Sequence, residues 1–382
     1  MPNRRKFINA MAGRLCALTC GLLASRSISY ADGPPELARR DVFVNGAGGY
    51  HTYRIPALVV TNRGTVLAFC EGRKTSSEDT GDIDLLLKRS EDGGRSWPDQ
   101  ITVHEDGGDA PVTIGNPVPI IERGRNRIHL LFVRNYKRLF HTQSTDDGRT
   151  WSEPREETGV LRELDYPRVL IATGPVHGIQ MSTGRLVAPI WICDRERSDR
   201  YENVTHDRMR AGVLYSGDGG ATWKTGGLVP TSVGMLHEGT VAELTDGSLM
   251  LNMRATGKGY RAVSVSADGG LSWSNPILDK SLPDPTCQGS MLRAAAGQLL
   301  FANLATSNNL GSRGRRNLTL RMSGDDGANW RKSIVLNPGP AGYSDLAQTP
   351  DGTILCLFEN GKEVYREKIS LIELPAGWLR GE

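Results

Sequence analysis

The sequence has no segment of helical periodicity beyond Tyr30, and it contains no apolar run long enough to span a membrane. No low-complexity tract, long run of charge or shift in composition divides the chain after Tyr50. Short apolar runs rich in β-branched residues recur instead, bounded by Gly, Asp, Asn and Pro, among them "IPALVV", "RIHLLFV" and "TILCLF". We therefore expect one large all-β domain with no stable membrane span.

Residues 1–31 have the pattern of an export signal, with basic residues, then a short apolar stretch, then small residues. The "RRKF" at positions 4–7 resembles a twin-arginine signal, and the interruption of the apolar stretch by Arg14 suits that route. An ordinary signal peptide with incidental arginines is the alternative. We expect cleavage of residues 1–31 and a periplasmic or secreted protein, in which residues 32–47 lead into a domain at 48–382.

The chain has little excess charge, with 46 Lys and Arg against 43 Asp and Glu and a formal net charge of +3. Residues 1–31 hold five basic residues and no acidic ones, so their removal lowers the formal charge to about −2. This balance offers no electrostatic basis for binding nucleic acid. The four cysteines beyond this segment lack metal-site spacing, and we expect Cys70 and Cys356 to be buried as small apolar side chains.

One phrase, Ser-x-Asp-x-Gly-x-(Thr/Ser)-Trp, occurs five times, the last time with Asn before the Trp. Its Asp can accept hydrogen bonds from the backbone ahead, its Gly can adopt a positive φ, and its Trp is a large apolar anchor. We therefore interpret the five aspartates as turn-forming and not catalytic. The copies are "SEDGGRSW" from Ser90, "STDDGRTW" from Ser144, "SGDGGATW" from Ser216, "SADGGLSW" from Ser266 and "SGDDGANW" from Ser323.

The starting serines of these copies follow a loose period of about 50 residues, which is typical of propeller blades. We predict a six-bladed β-propeller with four strands in each blade. The longest interval, from Ser144 to Ser216, allows a long insertion within one blade, but it is too short for an additional blade.

Three arginine positions lie at the ends of apolar strands: Arg54 in "TYRIPALVV", Arg254 in "LMLNMRATG", and Arg315 or Arg316 in "GRRNLTLRMS". We expect them to enter three blades at similar strand positions and to meet around the central channel. Because arginine presents a planar fork of donors and stays charged when buried, such a cluster predicts an anion site, with a carboxylate as the natural ligand.

The five phrases, "YRIP" and the spaced arginines together resemble the exo-α-sialidase (neuraminidase) family of bacterial and lysosomal enzymes, in which the phrase is known as the Asp-box or BNR repeat. "LAFCEGRKTSSED" and "RRNLTLRMSGDDGANW" followed by "GPAGYSDL" are close to the lysosomal-type branch, and the resemblance covers residues 48 to 375. It implies a six-bladed propeller that binds the carboxylate of sialic acid. Matched to the family, Arg54, Arg254 and Arg315 form the carboxylate-binding triad, with Arg316 as the alternative to Arg315.

The resemblance also implies the catalytic residues. Tyr343 matches the family's nucleophile, and Glu238 matches the carboxylate that takes its proton, with Glu243 as the rival. A neutral phenol suits this substrate, because an anionic nucleophile would approach the substrate carboxylate against like charge. His237, beside Glu238, either modulates its basicity or is simply buried.

Asp79 matches the family's acid/base, in a polar loop whose other carboxylates are Glu78, Asp82 and Asp84. Arg73 matches an arginine that contacts the sugar, although a structural ion pair is an equal reading. Glu359 matches the glutamate that orients Arg54.

The expected function is that of a retaining exo-α-sialidase that acts on sialylated glycoproteins, glycolipids and oligosaccharides. It is expected to need no metal or organic cofactor and to be a monomer. A non-catalytic sialoglycan-binding propeller and a trans-sialidase are the alternatives.

Overall fold

The protein, here a computed structural model, is described over residues 37–168, 170–194, 209–306 and 314–380, outside which the predicted signal peptide lies. Within these ranges it is all-β, and the helical elements are a 3-10 helix at Thr158–Glu163 and α1 at Gly377–Arg380. No helix in the described part of the chain is long and apolar enough to cross a membrane. The all-β prediction is confirmed.

Four sheets each contain a path of four strands paired antiparallel, arranged in propeller-like order along the chain. The first two sheets consist of β2 (Thr52–Val60), β3 (Val66–Arg73), β4 (Ile83–Ser90) and β5 (Gln100–His104), then β6 (Ile114–Glu122), β7 (Arg127–Arg134), β8 (Arg138–Ser144) and β9 (Arg155–Glu156). The third consists of β10 (Leu170–Thr173), β12 (Leu186–Cys193), β13 (Met209–Ser216) and β14 (Lys224–Leu228), with β11 (Ile179–Gln180) paired to β12. The fourth consists of β15 (Leu236–Glu243), β16 (Leu249–Ala255), β17 (Tyr260–Ser266) and β18 (Ile277–Pro283).

The remaining strands form a seven-stranded sheet in the order β1-β24-β23-β22-β21-β20-β19. These strands are β1 (Arg39–Val44), β19 (Ser290–Arg293), β20 (Leu299–Leu304), β21 (Arg316–Ser323), β22 (Lys332–Gln348), β23 (Ile354–Asn360) and β24 (Lys368–Leu374). The long strand β22 pairs with β21 through its first part and with β23 from Ala341 onward. β1, which lies within the predicted lead-in, pairs with β24, so the two ends of the domain share one sheet.

The core lies between the faces of neighbouring sheets, as the short apolar runs predict. In one cluster Phe69 and Leu85 of the first sheet pack with Ile128 and Phe132 of the second. All four cysteines in the described residues are buried, Cys70 and Cys356 among them, as expected. Stacking the sheets face to face leaves their first strands to surround the centre of the molecule.

Four of the repeated phrases form turns between the third and fourth strands of their sheets, and the fifth forms the turn between β21 and β22. Their predicted structural role is confirmed. In the second copy, Asp146 accepts hydrogen bonds from Ser144 Oγ at 2.8 Å, Thr150 N at 2.9 Å and Thr150 Oγ1 at 2.6 Å. Gly148 has a φ of +80° and donates its N–H to Ser144 Oγ. The shared geometry is that of the Asp, which accepts hydrogen bonds from groups within its own phrase in all five copies.

The first strands of three sheets are irregular at one end. The pairing register of β2, β6 and β15 shifts at Ile55, Asn116 and Glu238, and these residues have positive φ values of 59°, 57° and 37°. Left-handed backbone is rare for such residues and is concentrated at functional sites. All three residues line the same cavity.

Candidate active site

A cavity of about 330 Å³ lies at this end of the first strands. Six residues predicted from the sequence line it together: Arg54, Asp79, Glu238, Arg254, Arg315 and Tyr343. They come from three sheets or the loops beside them, and they span most of the chain. Such convergence is what a central site in a propeller requires.

The three arginines do not occupy similar strand positions, and that expectation is wrong. Arg54 lies on the first strand of its sheet, Arg254 on a second strand, and Arg315 immediately before β21, the third strand of its part of the sheet. Adjacent antiparallel strands run in opposite directions, so the end of a second strand lies beside the starts of the first and third. The three arginines therefore still lie at the same end of the strands, around one cavity.

Arg54 is fixed by Glu359, whose side chain is completely buried. Arg54 Nε lies 2.8 Å from Glu359 Oε1, and Glu359 Oε2 lies 3.2 Å from the second guanidinium nitrogen. The same carboxylate accepts the N–H groups of Ile55 at 2.9 Å and Tyr343 at 3.1 Å. Burial alone would lower the pKa of Arg54, but Glu359 outweighs it, and the pKa is raised. Glu359 thus joins the arginine to the backbone of the tyrosine.

Tyr343, Glu238 and Arg254 form a hydrogen-bonded triad. The Tyr343 hydroxyl donates to Glu238 Oε1 at 2.5 Å, and Arg254 donates to Glu238 Oε2 at 2.7 Å and to the Tyr343 oxygen at 3.1 Å. Burial opposes the charge on Glu238, but Arg254 and the tyrosine hydrogen bond outweigh it and lower the pKa to about 2. Burial and Glu238 raise the pKa of Tyr343 well above its usual range. The pair therefore consists of an ionised carboxylate that accepts a hydrogen bond from a neutral phenol.

Arg315 lies against two aromatic rings, with its Cζ 5.5 Å from the centre of Tyr343 and 5.0 Å from that of Tyr365. Among the described residues no carboxylate pairs with its guanidinium, in contrast to Arg54 and Arg254. Arg316 is exposed and does not line this cavity. This placement favours Arg315 over Arg316 as the third arginine.

Asp79 lies at the rim of the cavity, in the loop between β3 and β4, with 41% of its side chain exposed. Its Oδ1 is 2.9 Å from Arg73 and 3.6 Å from Arg54. Arg73 is buried and is also bonded to the buried Glu71 at 2.7 Å, so it connects the loop to the strand beneath. Arg73 does not line the cavity, and its contacts are those of a structural ion pair.

The alternative carboxylates lie elsewhere. Asp82 pairs with Lys74 at 3.0 Å, Asp84 accepts the Tyr50 hydroxyl at 2.6 Å, and neither lines the cavity. Glu78 is exposed. Glu243 accepts the N–H of Ser182 at 2.7 Å, at a different cavity.

Several cavity residues were not predicted from the sequence. Asn116 Nδ2 and Trp191 Nε1 are buried donors without a hydrogen-bond partner among the described residues, and both side chains line the cavity. Tyr136, Thr256 and Tyr365 complete the wall. No residue pattern distinguishes these positions from ordinary strand and loop residues, and the register shift at Asn116 is not visible in the sequence.

His237 is buried in the wall, where its Nε2 lies 2.9 Å from Thr256 Oγ1. Burial and the charge of Arg254 lower its pKa to about 3, so its ring is neutral. It packs edge-on against Trp191 at 5.9 Å, an arrangement that supports the reading of a buried wall residue. No group of three or more His, Cys, Asp or Glu side chains arranged to hold a metal ion occurs in the described residues.

Comparison with known proteins places this site in a family. The model of the BNR repeat-like domain matches residues 64–356. A sialidase of Micromonospora viridifaciens is 33% identical over the whole chain, and an exo-alpha-sialidase of Aspergillus fumigatus is 32% identical over 83% of the chain and 82% of its own length. The chain spans 61% of the Micromonospora relative and 63% of a similar sialidase from Bacteroides fragilis.

Solved structures agree with this assignment. The Hadza microbial sialidase Hz136 has a TM-score of 0.76 and 28% identity, covering 89% of this chain and 69% of its own. Trypanosoma rangeli sialidase, at 21% identity and a TM-score of 0.71, covers 91% of this chain and 60% of its own and shares the fold. The chain belongs to the sialidase family of BNR-repeat proteins.

Proposed function

We propose that this protein is a retaining exo-α-sialidase that releases terminal sialic acid from glycoconjugates. The observation that carries the proposal is the 2.5 Å hydrogen bond from the Tyr343 hydroxyl to Glu238 within a cavity that also holds three arginines. A site that only bound a carboxylate would need the arginines, but it would not need a buried base directed at a phenol.

The substrate carboxylate would bind to Arg54, Arg254 and Arg315. Arg315 has no carboxylate partner among the described residues, and Arg254 Nε is buried without a hydrogen-bond partner there. An incoming carboxylate satisfies both, and bidentate pairing with arginine fixes its orientation. The anomeric carbon, which bears this carboxylate, is thereby brought to the Tyr343 oxygen.

In the first step the Tyr343 oxygen forms a bond to the anomeric carbon while its proton passes to Glu238 Oε1. The bond from the anomeric carbon to the leaving oxygen breaks, and Asp79 gives that oxygen a proton. In the second step Asp79 takes a proton from water, and the water oxygen displaces the tyrosine, which recovers its proton from Glu238. Two inversions give net retention.

Asp79 must be protonated at the start of this cycle, although Arg73 and Arg54 lie within ion-pair distance of its carboxylate. The bound substrate carboxylate would compete for Arg54 and would add a negative charge near Asp79. Both effects favour the protonated form. Substrate binding would thus prepare the acid that the first step requires.

The remaining expectations are also proposals. We propose that the seven-stranded sheet represents two blades joined through β22, which would give six blades in total; the change of partner near Pro340 and Ala341 supports this. The pattern of residues 1–31 supports export, so we propose that the protein acts outside the cytoplasm. We also propose that it acts on sialylated glycans as a monomer.

The test is incubation of the purified protein with α2,3-sialyllactose, with and without added isotopically labelled lactose as acceptor, beside the Glu238→Gln variant. We expect free sialic acid from the wild type and a loss of about 10²- to 10⁴-fold in the variant. Transfer to the added acceptor in preference to water would indicate a trans-sialidase. Binding without release would indicate a glycan-binding protein and would overturn the proposal.

A further inference from the structure

A second, smaller cavity of about 190 Å³ lies directly beside the catalytic cavity. The two cavities share Arg315 and Tyr365 as a common wall. The smaller one is completed by Arg316, Pro340, Glu363, Val364 and Arg366. A group attached to a sugar in the catalytic cavity could therefore reach it past two side chains.

The charge of this second cavity is strongly positive. Three of its wall residues are arginines, and Glu363 is the one acidic residue among them. Arg316 and Arg366 are exposed, and neither guanidinium has an ion-pair partner among the described residues. Arg315 also lacks a carboxylate partner there, so the wall carries three arginine charges against the one carboxylate of Glu363, a formal balance of +2.

The loop that carries Arg366 is held in a defined shape. The nearby carboxylate of Glu367 accepts the backbone N–H groups of Lys362, Glu363 and Val364 at 2.8 to 2.9 Å. Asn45 donates to the carbonyl of Arg366 at 2.7 Å. Glu367 thus binds the loop backbone and is not ion-paired with Arg366, and these bonds preorganise the loop backbone from which Arg366 extends.

We propose that this second cavity is an anion subsite for the part of the glycan next to the terminal sialic acid. Its ligand is an acidic group in the aglycone, either the carboxylate of a second sialyl residue or a sulfate ester, since guanidinium groups bind both. This inference rests on the proposed sialidase function, and it makes Arg316 and Arg366 determinants of substrate choice rather than of the reaction.

The expected effect is moderate. Ion pairs of exposed arginines contribute about 0.2–1 kcal/mol each, so two of them correspond to a preference of about 2- to 30-fold. The preference should also decline at high salt, because screening acts strongly on exposed charges.

The experiment compares kcat/KM for three substrates: neutral α2,3-sialyllactose, its α2,8-disialyl counterpart and a sulfated sialyllactose. The test variant is Arg316→Ala/Arg366→Ala. The matched control, Arg149→Ala/Arg331→Ala, removes the same charge at arginines whose side chains are 50% and 76% exposed and line neither cavity.

We expect the wild type to prefer one or both acidic substrates, the test variant to lose that preference, and the control to keep it. The ratio between the disialyl and sulfated substrates identifies the source of the anion. Equal rates on all three substrates, or an equal loss on all three in the test variant, would overturn the subsite. If the wild type cleaved none of them, the proposed function would fail, and calorimetry of the same ligands with both variants would still test the subsite.

Discussion

Two groups of carboxylates in this molecule are used in opposite ways. In the repeated turns each Asp binds groups within its own phrase, as Asp146 does with Ser144 and Thr150. At the candidate active site Glu359 binds Arg54, which lies 305 residues away, and Glu238 binds Tyr343, which lies 105 residues away. Hydrogen bonds within a phrase leave a repeated sequence pattern, whereas hydrogen bonds between distant residues leave none. In this chain the repeated phrases therefore belong to the scaffold, and the site residues lie outside them.

The largest expected effect on the rate is that of removing the Tyr343 hydroxyl. Tyr343→Phe removes the proposed nucleophile and keeps the ring that lies against Arg315. We expect kcat to fall by about 10³-fold or more, because a group that forms a covalent intermediate has no substitute in the cavity. Steady-state rates on sialyllactose measure the effect. A loss below tenfold, in a variant that melts like the wild type, would place the chemistry elsewhere.

The next largest expected effect is on stability, from breaking the buried ion pair of Arg54 and Glu359. Glu359→Gln leaves the Arg54 charge buried without its carboxylate, so we expect the free energy of unfolding to fall by about 3–5 kcal/mol. Denaturant titration measures this change. The control, Glu156→Gln, breaks a pair with Arg138 whose side chains are 37% and 47% exposed, and it should cost at most about 1 kcal/mol. Equal losses would remove the distinction between the buried and exposed pairs.

A buried histidine pair packs against Trp223 of the third repeated phrase, with His129 Nδ1 3.1 Å from His141 Nε2. Burial lowers the pKa of His129 to about 4 and that of His141 to about 3. Since both pKa values lie below the usual 6.5, the unfolded chain binds more protons as pH falls from 6.5 toward 4. Stability should therefore decline over this window, by up to about 1.4 kcal/mol per pH unit for each histidine.

His141→Gln stays neutral at every pH and should reduce this acid slope by about half. Melting temperatures measured from pH 7 to pH 4.5 provide the readout, with His51→Gln at an exposed histidine as control. An unchanged slope in the His141 variant would show that the pair does not set acid stability.

The smallest expected effect is the loss of stability when the Asp of the second repeated phrase is removed. Asp146→Ala removes three hydrogen bonds at a half-exposed turn, and because water replaces part of what is lost, we expect a cost of about 1 kcal/mol. Thermal unfolding measures this cost. Activity on sialyllactose should stay within about twofold of the wild type, since local substitutions of this kind act on stability. A selective loss of activity would give the turns a role that their structure does not indicate.

Much of the scaffold could be predicted from the sequence, because period-2 apolar strands and turn phrases are local signals. The proposed catalytic residues were assigned through family resemblance, since "YRIP" and "GPAGYSDL" are recognisable phrases. Asn116 and Tyr365 were not, because Asn116 lies at a register shift and Tyr365 lies in a loop shaped by Glu367. Trp191 lies in a regular strand, where no local signal marks it as a cavity residue. The predicted strand positions of the arginines were wrong because the sequence does not show which strand of a sheet each arginine occupies.

The central claim, a tyrosine nucleophile activated by Glu238, is tested most directly by proton NMR of α2,3-sialyllactose hydrolysis at early times. Net retention through a covalent intermediate predicts that α-sialic acid appears first and then mutarotates to the β-anomer. Initial release of the β-anomer would show direct attack by water and would contradict the covalent route through Tyr343.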